Sequence, residues 1–251
     1  MFKKSLILFF LFSIIFAQLK DNRVSSIEEL RAIVENASRA NQKVWLEDFT
    51  GIQWTYCPNA SFAIDSLIQD FPGVLNTIEW HSPNFTPNGE NEGSDLATVE
   101  TGCSDDAPEE GLVYYNRANL YGVGGIPHLQ WNGIESIVGA GAPWWDRYDD
   151  YYPMVVDYSN LQTPYEIEIS GDYISGNSNV PYEITVTQGG GSPGENMALE
   201  IVIAEDSLYH FWSSPQVYHY TRNVSRNFLT FEDECKNILS LTNGETQTFT
   251  G

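Results

Sequence analysis

The chain has 251 residues, in which 34 Asp and Glu stand against 12 Lys and Arg, so its formal net charge is −22. A content of 42% hydrophobic and 14% aromatic residues can build packed cores and excludes global disorder. The charge argues against nucleic acid as a partner, because phosphate contacts need clustered Lys and Arg. Three cysteines are too few for a disulfide scaffold, and four scattered histidines lack the spacing of a zinc site. We therefore expect neither a metal site nor a cofactor.

The N-terminal segment predicts export. Lys3 and Lys4 precede an almost unbroken apolar run over residues 6–16, and Ala17 and polar residues follow it. This pattern is typical of a secretory signal peptide over 1–17, with an uncleaved membrane anchor as the alternative. No later apolar run is long enough to cross a bilayer. We expect an exported protein of the periplasm, the outer membrane or the extracellular space, with no stable transmembrane segment after cleavage.

Helix and strand patterns then alternate. Residues 18–42 are predicted to form a helix and a linker. Serines and glutamates lie at the spacing of a capping box, and the apolar residues that follow recur at helical spacing. A strand over 43–49, a helix over 57–71 and a strand over 74–80 follow. After a long insertion over 82–110 come a helix over 111–121, a hairpin over 128–138 and a helix over 143–158. The insertion is acidic and rich in Asn, Gly and Pro, and it lacks the spacing of a calcium-binding EF-hand. We interpret it as a solvated loop.

The pattern changes near Thr163. Apolar and polar residues alternate over 165–169, 182–186 and 197–203, and Gly- and Pro-rich turns separate these runs. Alternation with period two and such turns are typical of an antiparallel β-sandwich. We therefore expect an α/β domain over residues 43–160 and an all-β antiparallel sandwich over 161–251. The sequence stops inside a strand pattern, so we expect the sandwich to be incomplete at its C-terminus.

The order of the α/β elements is that of a thioredoxin-like domain. Two local motifs indicate where its functional site lies. The stretch 49–58, Phe-Thr-Gly-Ile-Gln-Trp-Thr-Tyr-Cys-Pro, lies between the first strand and the first helix of the α/β part. Gly125-Ile126-Pro127 lies where that fold places a cis-proline. A cysteine at a helix N-terminus is favoured as thiolate, and a cis-proline exposes a backbone edge that can pair with an extended partner chain.

These motifs, the acidic insertion and the trailing β segment resemble a secreted, thioredoxin-related family of bacterial outer-membrane proteins, named for a member of about twenty-eight kilodaltons. The resemblance covers residues 43–158 and extends more loosely to Val-Tyr-His-Tyr-Thr-Arg-Asn-Val at 217–224. It implies a thioredoxin-like fold and a cell-envelope location, whereas the family's biochemical role is poorly defined. Its members carry two cysteines two residues apart before the proline. Here Trp54 stands at the first of these positions, and Cys57 at the second.

The missing first thiol decides the functional hypotheses. Without it, a dithiol exchange cycle confined to this motif is impossible, so Cys57 is either a monothiol centre or an inert buried residue. The other two cysteines, Cys103 and Cys235, can form a structural disulfide; a Cys57–Cys103 bridge or no bridge are the alternatives. Trp144, Trp145 and the tyrosines over 148–152 are interpreted as packing residues rather than a ligand-stacking surface.

We expect the degenerate site to bind a protein or peptide partner. In this hypothesis Trp54 fills the space of the lost thiol and packs against Pro127, and the binding residues are Trp54, Tyr56, Pro58, Ile126 and Pro127. One alternative is a thiol–disulfide oxidoreductase or isomerase that uses Cys57, with Cys103 as its partner. Another is a surface adhesion or polymer-binding module that acts through the β domain.

Overall fold

The computed structural model describes residues 8–13, 40–82, 96, 113–141, 143–171, 180–190, 197–212, 216–228 and 237–251. The predicted cleavage site after Ala17, nearly all of the predicted helix before residue 40 and most of the acidic insertion lie outside these residues. So do Cys103 and Cys235. None of the helices in the described part of the chain is both long enough and apolar enough to span a bilayer.

The described chain contains three helices and fifteen strands. The helices are α1 (Cys57–Asp70), α2 (Val113–Tyr121) and α3 (Trp144–Ser159). The strands are β1 (Leu8–Ser13), β2 (Ala40–Asn41), β3 (Val44–Thr50), β4 (Leu75–His81), β5 (His128–Trp131), β6 (Glu135–Val138), β7 (Gln162–Thr163), β8 (Tyr165–Gly171), β9 (Tyr182–Gln188), β10 (Met197–Glu205), β11 (Leu208–Trp212), β12 (Val217–Thr221), β13 (Val224–Phe228), β14 (Asn237–Leu239) and β15 (Thr246–Thr250).

The first half of the described chain is an α/β region whose elements follow the predicted order. Strand β3 pairs in parallel with β4 and antiparallel with β5, and β5 forms a hairpin with β6. Helix α1 connects β3 to β4, α2 precedes β5, and α3 follows β6. The helix and strand bounds agree with the predicted ones to within two residues.

Local sequence explains why these elements form. Strand β3 is buried along its whole length, as expected for a parallel strand covered on both faces. Pro58 occupies the first turn of α1, where its missing N–H costs no hydrogen bond. The apolar stripe of α1 packs with α3 and one face of the sheet in a core of Ala60, Ala63, Ile64, Leu67, Leu129, Trp131, Tyr151, Val155 and Tyr158. The other sheet face packs with α2.

The sheet continues into the C-terminal half of the chain. Strand β13 pairs in parallel with β4 at Val224 and Glu79, and β10 pairs antiparallel with β13. Strands β1 and β14 also pair with β10. Eight strands from both sides of residue 160 therefore share one mixed sheet. Strand β1 lies within the predicted signal peptide, whose cleavage stays a prediction.

The remaining C-terminal strands form antiparallel sheets, as the period-two alternation predicts. Strands β8, β9 and β15 make a three-stranded sheet, and β11 and β12 make a two-stranded ribbon. The β9 residues Ile184 and Val186 share a third apolar core with Met197, Leu199 and Ile201 of β10. The sandwich and the domain boundary stay predictions.

Candidate functional site

The predicted site lies where β3 ends and α1 begins. Cys57 is the first residue of α1, and its backbone N–H donates to the carbonyl oxygen of Trp54 at 3.2 Å. The Ile126–Pro127 peptide bond is cis and leads directly into β5, which is paired with β3. Cys57 and Ile126 belong to the same apolar core as Phe49 of β3. The two sequence motifs, about 70 residues apart, are thus brought together at one end of the sheet.

Cys57 is buried, and its surroundings disfavour the thiolate form. Its side chain has no exposed surface. Burial, and then the neighbouring Asp48 carboxyl group, raise the pKa of the Cys57 thiol above its ordinary value. The Thr50 side chain and the Gly51 backbone act in the opposite direction and are outweighed. A helix N-terminus favours a thiolate, but burial destabilises this thiolate by more than the helix dipole stabilises it. Cys57 is therefore a protonated thiol at neutral pH.

The aromatic residues around Cys57 face solvent, while the prolines do not. Trp54 is 42% exposed and Tyr56 is 47% exposed. Pro58, Ile126 and Pro127 are buried. That Trp54 fills the space of the lost thiol and packs against Pro127 stays a prediction. The backbone groups of residues 124–126 make no hydrogen bond to other described residues.

Two buried polar groups beneath the site were missed by sequence reasoning. The Asp48 side chain is fully buried, and its oxygens have no hydrogen-bond partner among the described residues. Burial, and then the nearby Glu79, raise the pKa of Asp48 well above its ordinary value. The Tyr151 hydroxyl lies in the same electrostatic environment, and burial likewise raises its pKa. The signal for Asp48 was the pair of acids inside an otherwise apolar strand.

The other acid of that pair anchors a satisfied network. Glu47 has no exposed surface, and Arg117 donates to its two oxygens through Nε at 2.6 Å and a terminal nitrogen at 2.8 Å. The Tyr121 hydroxyl donates to Glu47 at 2.7 Å, and the Trp80 indole donates at 2.9 Å. Arg117 also donates to Glu200 of β10 at 2.9 Å. This network ties α2, β3, β4 and β10 together.

The segment 217–224, to which the resemblance extends, attaches the ribbon to α1 and β4. His219 shares a 2.8 Å hydrogen bond with Ser61 of α1. The Arg222 guanidinium pairs with Asp206 at 3.1 Å, and its backbone N–H donates to Glu79. Burial lowers the pKa of His219 to about 4, so the imidazole is neutral at pH 7. These contacts connect the ribbon to α1 and β4.

The comparisons with known proteins support the fold. No family model matches the chain, and no curated protein matches it. A solved structure described as HBP35 of Porphyromonas gingivalis matches with a TM-score of 0.59 and 13% identity, over 85% of this chain and 64% of that one. This chain therefore spans under two thirds of that structure. An Agrobacterium tumefaciens protein matches with a TM-score of 0.42 and 16% identity, over 85% of this chain and 79% of that one. The HBP35 match shows a similar fold and nothing of activity.

The environment of Cys57 gives a direct chemical prediction. In the native, unreduced protein at pH 8, we expect Cys57 to react with iodoacetamide about 100-fold more slowly than an exposed thiol, because it is buried and protonated. In denaturant the difference should vanish. Peptide mass analysis reports each cysteine separately, so the same digest reveals the pairing of Cys103 and Cys235. Fast native labelling of Cys57 would support the oxidoreductase alternative instead.

Proposed function

We propose that the chain is an exported cell-envelope protein whose redox-degenerate thioredoxin-like domain binds an extended polypeptide segment. The main observation is that the site lacks a reactive thiol. Trp54 stands in place of the attacking cysteine, and Cys57 is buried and has a raised thiol pKa. The covalent step of thiol exchange is thereby removed, while the backbone edge beside the cis-proline is retained.

The surface around that edge suits a peptide. Trp54 and Tyr56 supply rigid aromatic area, which dominates the binding energy of many interfaces. The backbone of 124–126 offers donors and acceptors for strand-like pairing. The formal charge of −22 favours basic or neutral partners over acidic ones. Export, the sandwich arrangement of the C-terminal sheets and the boundary near residue 160 belong to the same proposal.

A peptide array followed by fluorescence anisotropy on its best ligand tests the proposal. We expect Trp54→Ala and Tyr56→Ala each to weaken the dissociation constant about tenfold, as for central aromatic anchors. Tyr152→Ala is the matched control, because Tyr152 is 43% exposed but contacts Phe71 just beyond the other end of α1. That control should change affinity less than about twofold. Equal effects of all three substitutions, or no ligand on the array, would contradict peptide binding at this site.

The oxidoreductase alternative makes the opposite prediction. If Cys57 forms a mixed disulfide with a partner, Cys57→Ser abolishes capture, and reducing agent releases the partner. In the non-covalent proposal, Cys57→Ser leaves peptide affinity unchanged because the side chain is buried beneath the binding surface.

A further inference from the structure

Strand β10 has the character of an interior strand. Its side chains are buried on both faces: Val202 and Ala204 lie in the core that contains Cys57, and Leu199 and Ile201 lie in the third core. An apolar strand of this kind becomes a template for pairing with another chain when one of its edges is open. The neighbours of β10 along its two edges therefore decide whether it is protected.

The two edges of β10 are covered by different strands. Strand β13 pairs with Val202–Glu205 along one edge. Strand β1 pairs with Glu200–Glu205 along the opposite edge, antiparallel and in an unbroken register over all six of its residues. The order of the sheet places β1 at its end, so β10 becomes the edge strand wherever β1 is absent.

Strand β1 belongs to the segment that export is expected to remove. Its residues, Leu8–Ser13, lie inside the predicted signal peptide over 1–17. After cleavage, the β10 backbone over Glu200–Glu205 loses the strand that pairs with it along this edge. Such an edge is suited to β-augmentation, in which an extended peptide adds a strand to a sheet and main-chain hydrogen bonds supply the affinity.

The strand that covers the edge in this structure indicates what the edge accepts. β1 has the sequence Leu-Phe-Phe-Leu-Phe-Ser, which contains neither a charged residue nor a proline. The two acids of β10 are already paired, Glu200 with Arg117 at 2.9 Å and Glu205 with Arg226 at 2.9 Å. A charged strand would compete with these ion pairs, whereas an uncharged strand leaves both intact. The edge therefore favours an uncharged, apolar strand.

We propose that the exported chain uses the β10 edge over Glu200–Glu205 to bind an uncharged, Leu- and Phe-rich strand of a partner polypeptide, antiparallel to β10 and in the place of β1. The inference rests on the removal of residues 1–17, which belongs to the proposed function. It concerns a different surface from the site at Cys57, because β13 and β4 lie between β10 and β3 in the sheet. A second copy of the chain suits the edge less well, because both copies are strongly acidic.

The test uses the full chain as cells export it. Mass analysis of the purified protein first establishes its N-terminus, which should be Gln18. A fluorescent peptide with the sequence of Leu8–Ser13, made soluble by an uncharged polyethylene glycol chain, is then titrated and followed by anisotropy. We expect a dissociation constant of about 10 µM. It should change less than about twofold between low and high salt, because no charges are paired.

A matched control peptide carries Phe10→Pro together with Leu11→Pro. Adjacent residues of a strand direct their N–H groups to opposite edges, so one of the two prolines removes a donor to β10. This peptide should bind at least about tenfold more weakly.

Hydrogen exchange then locates the bound peptide. It should slow amide exchange over Glu200–Glu205 at least about tenfold. Exchange in β6, which is the other terminal strand of the same sheet, should stay unchanged. Trp54→Ala should also leave the affinity unchanged, which separates this edge from the proposed peptide site beside Cys57.

Several results would overturn the proposal. An exported chain that retains residues 8–13 would keep the edge filled by its own segment, and this result would also contradict signal cleavage. The remaining results would leave the proposed function untouched. They are the absence of binding, equal binding of the proline-containing peptide, equal protection of β6, and an exported chain that sediments as a dimer with β10 already protected. Loss of binding in Trp54→Ala would instead assign the peptide to the site beside Cys57.

Discussion

Replacing Trp54 by cysteine is expected to raise the thiol–disulfide exchange activity of this protein well above that of the unaltered chain. The new thiol would occupy the exposed turn at the N-terminus of α1, one helical turn before Cys57. There the helix dipole favours its thiolate, while Cys57 stays buried as the resolving partner. The thiolate at position 54 would attack a substrate disulfide, and Cys57 would then displace the reduced substrate by closing a disulfide to position 54.

Insulin reduction in the presence of dithiothreitol measures this gain. We expect the Trp54→Cys rate to exceed that of the unaltered chain by about 100-fold. Trp54→Ser matches cysteine in size without a thiol and should stay at the baseline, as should Trp54→Cys combined with Cys57→Ser. If Trp54→Cys is as inactive as Trp54→Ser, the site has lost more than its attacking thiol, and the burial of Cys57 itself blocks the resolving step.

The second large effect is expected at Glu47, where Glu47→Gln should reduce the free energy of unfolding by about 3 kcal/mol. Glutamine keeps the shape but removes the charge that faces buried Arg117. Its amide nitrogen replaces one carboxylate oxygen, so it meets a donor of Arg117 together with that of either Trp80 or Tyr121. For a chain of this size that loss corresponds to a midpoint about 8 °C lower. Denaturant and thermal unfolding followed by circular dichroism provide the measurement.

Two further variants separate the network from general surface effects. Glu166→Gln removes an exposed carboxylate on β8 and should change stability less than about 0.5 kcal/mol. Glu47→Leu combined with Arg117→Met removes both charges, and it should regain part of the loss because no buried charge is left unpaired. A loss below about 1 kcal/mol for Glu47→Gln would show that Glu200 alone compensates Arg117.

Local patterns predicted the elements of the α/β half closely. The stretch 128–131 was predicted as a strand and is β5, because the Asn132-Gly133 turn fixes where the hairpin reverses. Pro58 likewise marked the start of α1. These signals act over a few residues, so they can be recognised in one sequence.

Long-range partners and the direction of side chains could not be predicted in the same way. Nothing near Glu47 indicates that its cation lies 70 residues away in α2. No local pattern shows that Trp54 is 42% exposed. In the ribbon both faces carry large aromatic or histidine side chains, so alternation does not show which face is buried.

The pairing of β13 with β4 has a consequence for how the chain folds. Until residue 228 has left the ribosome, or a translocation pore, β4 is an edge strand that leaves its amide and carbonyl groups unpaired. Glu79 meets the backbone of Arg222 and Asn223 only at this late stage, across 143 residues of sequence. Contacts this distant in sequence are slow to form, so this part of the sheet is completed late in folding.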